Sequence, residues 1–596
     1  MFKVKVTIFA LLSLLIIGSL SVGINNNSSV SAQEIPYGGR LVAAFIDDVR
    51  TKCTAHSDYM YTMMGCILDQ LIYDLTWSYY RLEDSEVIAD PPAPRFFLDW
   101  EVSEDGQVWT VHIPKNATFH DGTPVTAEDI KFTADYYCRL PWNENMIYGL
   151  NRTEVVDDYT VRFYTNYPRA VPPMEWAQVL PKHIWEPYKD DMLSCPNEEM
   201  IGSGPFKFKE WKRGEYWWLE ANENYWAGRP YVDEVVLKVY PSVEAAVLAL
   251  KAGEVDMWGY GGVPVSVALD LMKDPNIKVE VSPGLGVLMM GVNVHPNKTD
   301  PLARDVRVRK AIAYGIDYDT IINLVYLGYG EKADSWIYPE LPSHNPNLPQ
   351  YEYNVTKANE ILDEAGYLDT DGNGIRNWEG GEFIFDLYIR SEDPQRLRIA
   401  EIIKNSLKNI GIQINIRAVD YETLIDIIYN PQECIFDMFL FADEPGPNPE
   451  WIWDYCLSWE PESYNAAGWI NEEFDELYYA ALAEANLTKR DQIWWQMEEL
   501  VAEELPYIFI ARPYYLSPHR TDKFEGFLTA MGGISSWVFE LTYLNVHLKH
   551  APPTTPPTPT PSPTPWIITG ICIAIAIGSI AYAAKIRSRT RKTSSS

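Results

Sequence analysis

A His beside an Asp, followed by Gly, Thr and Pro and then by more acids, stands at residues 119–130, FHDGTPVTAEDI. Such a pair is the raw material of a general base steadied by a carboxylate, or of part of a metal site. Either use needs a nucleophile or further ligands. The sequence contains no Gly-x-Ser-x-Gly elbow and no His-Glu-x-x-His helix, and Ser203 between Gly202 and Gly204 lacks the elbow's spacing. The local pattern gives the acids structural tasks instead. Asp121 and Gly122 are turn residues. Thr126 falls at a helix N-cap, and Asp129 follows in the capping-box position. Glu128 and Asp129 both suit the positive end of a helix dipole. Ile130, Ala134 and Tyr137 supply the buried stripe. The expectation is a turn and a capped helix, with no catalytic residue.

A second acidic stretch, DTDGNGIRNWEG at residues 369–380, places Asp369, Asp371, Asn373 and Gly374 at calcium-loop positions. The twelfth position is Gly380, where the bidentate Glu belongs, and Glu379 comes one residue early. A glycine-rich turn with no metal is therefore expected.

These residues sit in alternating strand-like and helix-like segments. Residues 106–114, GQVWTVHIP, alternate apolar and polar as a half-buried strand does. Ser242 caps a predicted helix with a stripe through Ala245, Leu248 and Ala249, ended by Gly253. Residues 305–328 read as helix punctuated by Gly315 and Gly328, and a helix ending near Gly411 precedes an alternating strand. Repeated helix–Gly–strand units predict a mixed α/β fold. The chain has 596 residues and a formal net charge of −34, which speaks against a nucleic-acid partner.

Both ends carry membrane signals. Residues 1–32 read as a signal peptide, with Lys3 and Lys5 before an apolar run and a small-residue cleavage site at Val30, Ser31 and Ala32. Residues 551–565 form a Pro/Thr stalk, and residues 566–584 an uncharged stretch about long enough to span a bilayer. The basic tail 585–596 predicts a cytoplasmic C-terminus and an extracellular body. Outside the cell disulfides are permitted. Six body cysteines (Cys53, Cys66, Cys138, Cys195, Cys434 and Cys456) suit three bridges, with Cys138 to Cys195 and Cys434 to Cys456 preferred. Asn116, Asn151, Asn297, Asn354 and Asn486 lie in glycosylation sequons.

A series of blocks in order then resembles the family 5 extracellular solute-binding proteins of ABC importers, the peptide/nickel-type group. They include residues 98–137 with FHDGTPVTAEDI at their centre, GSGPFKFKEW, LALKAGEVDMW, RDVRVRKAIAYGIDYDTII and NSLKNIGIQINI. The resemblance covers about residues 37–548. It implies a two-lobed periplasmic-binding-protein-like clamshell of type II. Lobe I would comprise about residues 37–60, 195–291 and 513–548, an inserted subdomain about 61–194, and lobe II about 292–512. It implies a monomer without cofactor that closes on a ligand and docks on membrane permease subunits. No Cys stands near Gln33 to carry a lipid. The C-terminal stalk and span take that tethering role, which looks archaeal.

The resemblance also proposes ligand contacts. Asp443, after Phe441 and Ala442, matches the acid that pairs with a peptide's α-amine, although the following EPGPNP departs from the usual pattern. Arg390 lies where some relatives place a carboxylate-binding Arg, with a surface ion pair as the competing reading. Trp258 and Tyr260 follow the Gly-Glu-Val-Asp block and stand to stack on a ligand. The first expectation is thus a surface-anchored peptide binder. An oligosaccharide binder of the same family is the alternative, since 21 Trp and 38 Tyr suit sugar stacking. A surface hydrolase and a surface-layer protein rank below both.

Overall fold

The strand Tyr507–Arg520 changes partners halfway along its length, and the architecture follows from that change. The computed structural model describes residues 35–549 except 53–61, 84–85, 140–148, 176, 192–196, 445, 447, 460–462 and 535–538. Twelve strands form the main sheet: β1 (Arg40–Phe45), β2 (Phe206–Lys212), β3 (Tyr216–Ala221), β4 (Glu234–Val239), β5 (Met257–Trp258), β6 (Ile277–Pro283), β7 (Val287–Val292), β8 (Gly330–Glu331), β9 (Ile384–Arg390), β10 (Gln413–Val419), β11 (Met438–Asp443) and β12 (Tyr507–Arg520). Their order is β10-β9-β11-β7-β12-β5-β1-β4-β3-β2, with β6 and β8 also on β12.

The start of β12 pairs with β7, Tyr507 opposite Gly291, and its end pairs with β6, Arg520 opposite Ile277. β6 and β7 follow each other in sequence, so both chains cross between the two strand sets at one place. There Gly284 N–H donates to Pro513 O at 3.0 Å. A Cβ on Gly284 would lie 2.1 Å from that oxygen, so only glycine allows the approach. Arg512, 2% exposed, pins the crossing. Its Nε donates to Gly284 O at 2.8 Å, and its two terminal nitrogens donate to Glu340 at 2.8 and 3.0 Å. β7, VLMMGV, is buried throughout, as a central strand's continuous apolar run requires.

The local expectations meet mixed outcomes. Ser242 does cap helix α1 (Val243–Ala252), accepting from Ala245 N–H, and Gly253 ends it at φ 77°. The buried stripe, however, is Ala246, Ala249 and Leu250, and Leu248 is 67% exposed. Both sets have helical spacing; which one turns inward is decided by where the sheet lies. Residues 305–328 form two helices, Val306–Gly315 and Tyr318–Val325, because Asp317 caps the second through Thr320 N–H. The helix Pro394–Lys408 and β10 follow the sequence reading, and β10 runs parallel to β9.

A separate four-stranded antiparallel sheet joins Asp99–Val102, Val108–His112, Thr160–Thr165 and Leu150–Asp157. Val108–His112 alternates in burial as the pattern predicts. The helix Ala127–Tyr137 buries Ile130, Ala134 and Tyr137 as expected.

The preferred disulfide between Cys434 and Cys456 is not present. Cys456 is fully buried in the apolar core, while Cys434 ends a short 3-10 turn at φ 56° with its Sγ 3.7 Å from Gln432 O. Cys138 is an exposed thiol. Its expected partner Cys195, and Cys53, lie outside the described residues. The signal peptide 1–32, the stalk, the span 566–584 and the tail also lie outside them. Among the described residues no helix is long and apolar enough to cross a membrane.

Candidate functional site

A cleft opens beyond the ends of β1 and β5, beside Tyr515 in the second half of β12. It has a volume of about 390 Å³, and its lining includes Phe45, Asp47, Trp258, Tyr260, Gly262 and Tyr515. The glycines after β5 make this convergence possible. Gly259 N–H donates to Ala44 O at 2.8 Å, and a Cβ there would meet the Phe45 ring at 2.2 Å. At Gly262 a Cβ would meet Leu516 N at 2.4 Å. The backbone therefore lies against its neighbours on both sides, and Tyr260 stands between the two close approaches.

Tyr260 O–H donates to Glu444 Oε2 at 2.7 Å, and Tyr515 O–H donates to Glu444 Oε1. Burial, then the Glu444 charge, push both phenols well above their usual range, so they stay protonated donors. Glu444 follows directly on β11, whose partners are β7 and β9. The two tyrosines come from beyond the crossing, so this carboxylate links the two strand sets.

Asp443, the last residue of β11, lines a smaller aromatic pocket of about 20 Å³ with Trp336, Tyr429, Phe441, Tyr455 and Tyr464. Its Oδ1 accepts from Glu444 N–H at 2.9 Å. Burial raises the Asp443 carboxyl above its ordinary 3.8; that backbone bond offsets part of the rise and the neighbouring Glu444 charge adds to it. Such a carboxylate is costly to keep charged, and a cation placed against it gains a strong charge-assisted hydrogen bond.

Of the residues singled out from sequence, Trp258 and Tyr260 line the large cleft and Asp443 the aromatic pocket. Glu444 lines neither, but it holds the phenols of two cleft residues and follows Asp443 in the chain. Arg390 lines neither. It ends β9 half-exposed, 3.5 Å from Glu392 and 4.9 Å from the Tyr421 ring centre. Glu444, Tyr515 and Asp47 are the residues that sequence reading passes over. The only local signal was the adjacency of Glu444 to Asp443, because its tyrosine partners lie 184 and 71 residues away.

His120 and Asp121 lie in another part of the fold. His120 Nε2 is 3.0 Å from Gly204 O, and Nδ1 accepts from Gly202 N–H at 3.3 Å. Both ring nitrogens are thus spent on backbone. Asp121 takes Thr123 N–H and His183 Nε2. Asp129 accepts from Thr126 N–H at 2.9 Å, which forms the backbone arm of the expected capping box. In the loop at 369–380, Asp369 accepts from Gly372 and Gly374 N–H at 2.7 and 2.9 Å, bonds that close a glycine turn. Among the described residues no group of three or more His, Cys, Asp or Glu is placed to hold a metal.

Residues 92–459 match the family model described as bacterial extracellular solute-binding proteins, family 5 Middle. The oligopeptide-binding protein AppA of Bacillus subtilis is 32% identical over 444 residues, 71% of this chain and 78% of that protein. The dipeptide-binding protein of Escherichia coli is 25% identical over 477 residues, 74% of this chain and 85% of its own length. The solved structure of B. subtilis AppA with a nonapeptide superposes at a TM-score of 0.66 and 26% identity, covering 87% of this chain and all of that one. The mixed α/β, two-lobed architecture of periplasmic binding proteins is therefore the fold of this chain.

Proposed function

This chain belongs to the bacterial extracellular solute-binding proteins of family 5, and from that premise we propose that it captures oligopeptides for an ABC importer. The observation that carries the reading is Asp443, a carboxyl in the lining of an aromatic pocket whose pKa burial raises. In this reading Asp443 takes the peptide's α-ammonium, and Trp258 and Tyr260 pack on the ligand. Arg390 is a candidate for a distal ligand carboxylate only if a long peptide reaches the end of β9.

Lobe I (about 37–60, 195–291 and 513–548) and lobe II (about 292–512) close on the ligand by rotation at the double crossing. The exchange of β-partners at Gly284 and at Arg512 supports that division. Residues 61–194 then form the inserted subdomain, supported by their own four-stranded sheet. Ligand shifts the clamshell toward closure only by its differential affinity for the closed form. No covalent step is required, so the protein is a binder and not an enzyme. The stalk at 551–565 and span at 566–584 tether it as a monomer beside the permease, as expected of archaeal members. Tethering raises its effective concentration there.

Thermal unfolding of the chain with a peptide pool and with gluco-oligosaccharides tests the reading. Ligand at about 100 times its Kd adds about 2.7 kcal/mol to apparent stability. Peptides are expected to raise the Tm and sugars to leave it unchanged. A shift with sugars alone would overturn peptide capture, and hydrolysis of the peptide pool would overturn the assignment as a binder.

A further inference from the structure

Recognition of one α-ammonium by Asp443 leaves the Glu444 carboxylate without a task in the ligand's chemistry, yet the fold builds it with care. Each Glu444 oxygen accepts one phenol O–H, and both phenols line the cleft. Each carboxylate oxygen has two acceptor positions, so the clasp occupies one on each and leaves one on each. Neutral phenols orient a carboxylate without cancelling its charge. Among the described residues no Lys, Arg or His forms an ion pair with Glu444. The described lining of the two cavities includes no Lys or Arg either, and its charged members are Asp47 and Asp443.

The side chains of adjacent residues at a strand end face opposite sides. Asp443 lines the aromatic pocket, while Glu444 bonds to the two tyrosines that line the cleft. A ligand that fills both meets Asp443, Asp47 and the neighbouring Glu444 carboxylate, and no Lys or Arg among the described lining residues.

We propose that Glu444 is a specificity-determining residue that receives a second cationic group, the ammonium or guanidinium of a Lys or Arg near the peptide's N-terminus, so that the site selects basic peptides. The inference rests on the peptide reading above. The geometry distinguishes Glu444 from an ordinary surface acid, because its position is fixed by two cavity-lining donors from beyond the crossing. The chain's net charge of −34 adds long-range attraction for cationic ligands.

The test compares binding of Ala-Lys-Ala-Ala with Ala-(Nε-acetyl-Lys)-Ala-Ala by titration calorimetry on the full chain. Acetylation removes the charge and keeps the length. A hydrogen bond to a charged group predicts that the lysine peptide binds on the order of 10-fold tighter or more. Glu444→Gln keeps an acceptor for a tyrosine and is expected to bring that ratio to about one while still binding the acetylated peptide. Equal affinity of the two peptides for the unaltered chain would overturn the proposal and leave peptide capture standing, whatever the variant does. A Glu444→Gln variant that weakens both peptides equally would make Glu444 only a brace between strand sets, and would also overturn it. Binding of neither peptide, alongside a sugar-induced Tm shift, would remove the peptide reading and this inference together.

Discussion

Lowering the pH tests whether His120 is a neutral structural bracket or a working base. Burial first, and then the Lys207 ammonium, push its imidazole down to about 4 from 6.5, against the raising effects of Gly204 O and Asp121. A protonated ring would also carry a hydrogen on Nδ1, which faces the Gly202 N–H donor. The folded-state value lies below the unfolded one, so the unfolded chain binds more protons between the two. Stability from this group is fully present above about pH 6.5 and is lost as pH falls toward about 4. A shift of about 2.5 units at about 1.4 kcal/mol each predicts a loss of about 3 kcal/mol. The assay is urea unfolding of the unaltered chain and of His120→Asn at several pH values from 7 to 4. The stability advantage of the unaltered chain over the variant is expected to shrink by about 3 kcal/mol across that range. A difference that stays constant within about 0.5 kcal/mol would refute the reasoning.

Three further outcomes follow from the crossing and the pocket. Asp443→Asn is expected to weaken peptide binding by about 1.5–3 kcal/mol, roughly 10- to 150-fold, by calorimetry. Because burial raises the Asp443 carboxyl above 3.8, affinity in the unaltered chain should begin to fall at a higher pH than an ordinary Asp would dictate. A fall that waits for pH 3.8 would contradict its burial. Gly284→Ala places a Cβ 2.1 Å from Pro513 O, backbone against backbone, and is expected to cost about 1–3 kcal/mol in urea unfolding. A loss under about 0.5 kcal/mol would mean that the two crossing chains do not touch there.

How much of this could be read in advance depends on the range of the interaction. Caps are local, and Ser242, Thr126 and Gly253 do as their neighbours dictate. Periodicity is local too, but it leaves the direction of burial open: Ala245, Leu248 and Ala249 satisfy the helical spacing as well as the stripe that is buried. Cysteine spacing says less still, since a bridge needs Cα atoms within about 7 Å and the sequence carries no such distance. Cys456 is in the core and Cys434 ends a turn. The candidate site is the extreme case. Trp258, Tyr260 and Asp443 were reachable through family-like blocks, but the group that connects them was not. Glu444 acquires its meaning from Tyr260, just past β5, and Tyr515 on β12, residues far from it in sequence.

The same reasoning explains why His120 and Asp121 look catalytic in one dimension and are not in three. A general base needs a ring nitrogen able to take a proton, and a metal ligand needs a lone pair. His120 has spent both nitrogens on the backbone of residues 202 and 204, which belong to the segment leading into β2. The bracket thus fastens the turn before the helix Ala127–Tyr137 to the edge of the main sheet; His120 N–H also donates to Gly202 O at 2.8 Å, and Lys207 Nζ donates to His120 O at 3.2 Å. Near that join the separate four-stranded sheet meets the body that carries the cleft. A residue pair with the composition of an active site therefore works at the opposite task. It keeps two parts of the scaffold in fixed register, and the proposed capture mechanism leaves motion to the crossing at Gly284 and Arg512.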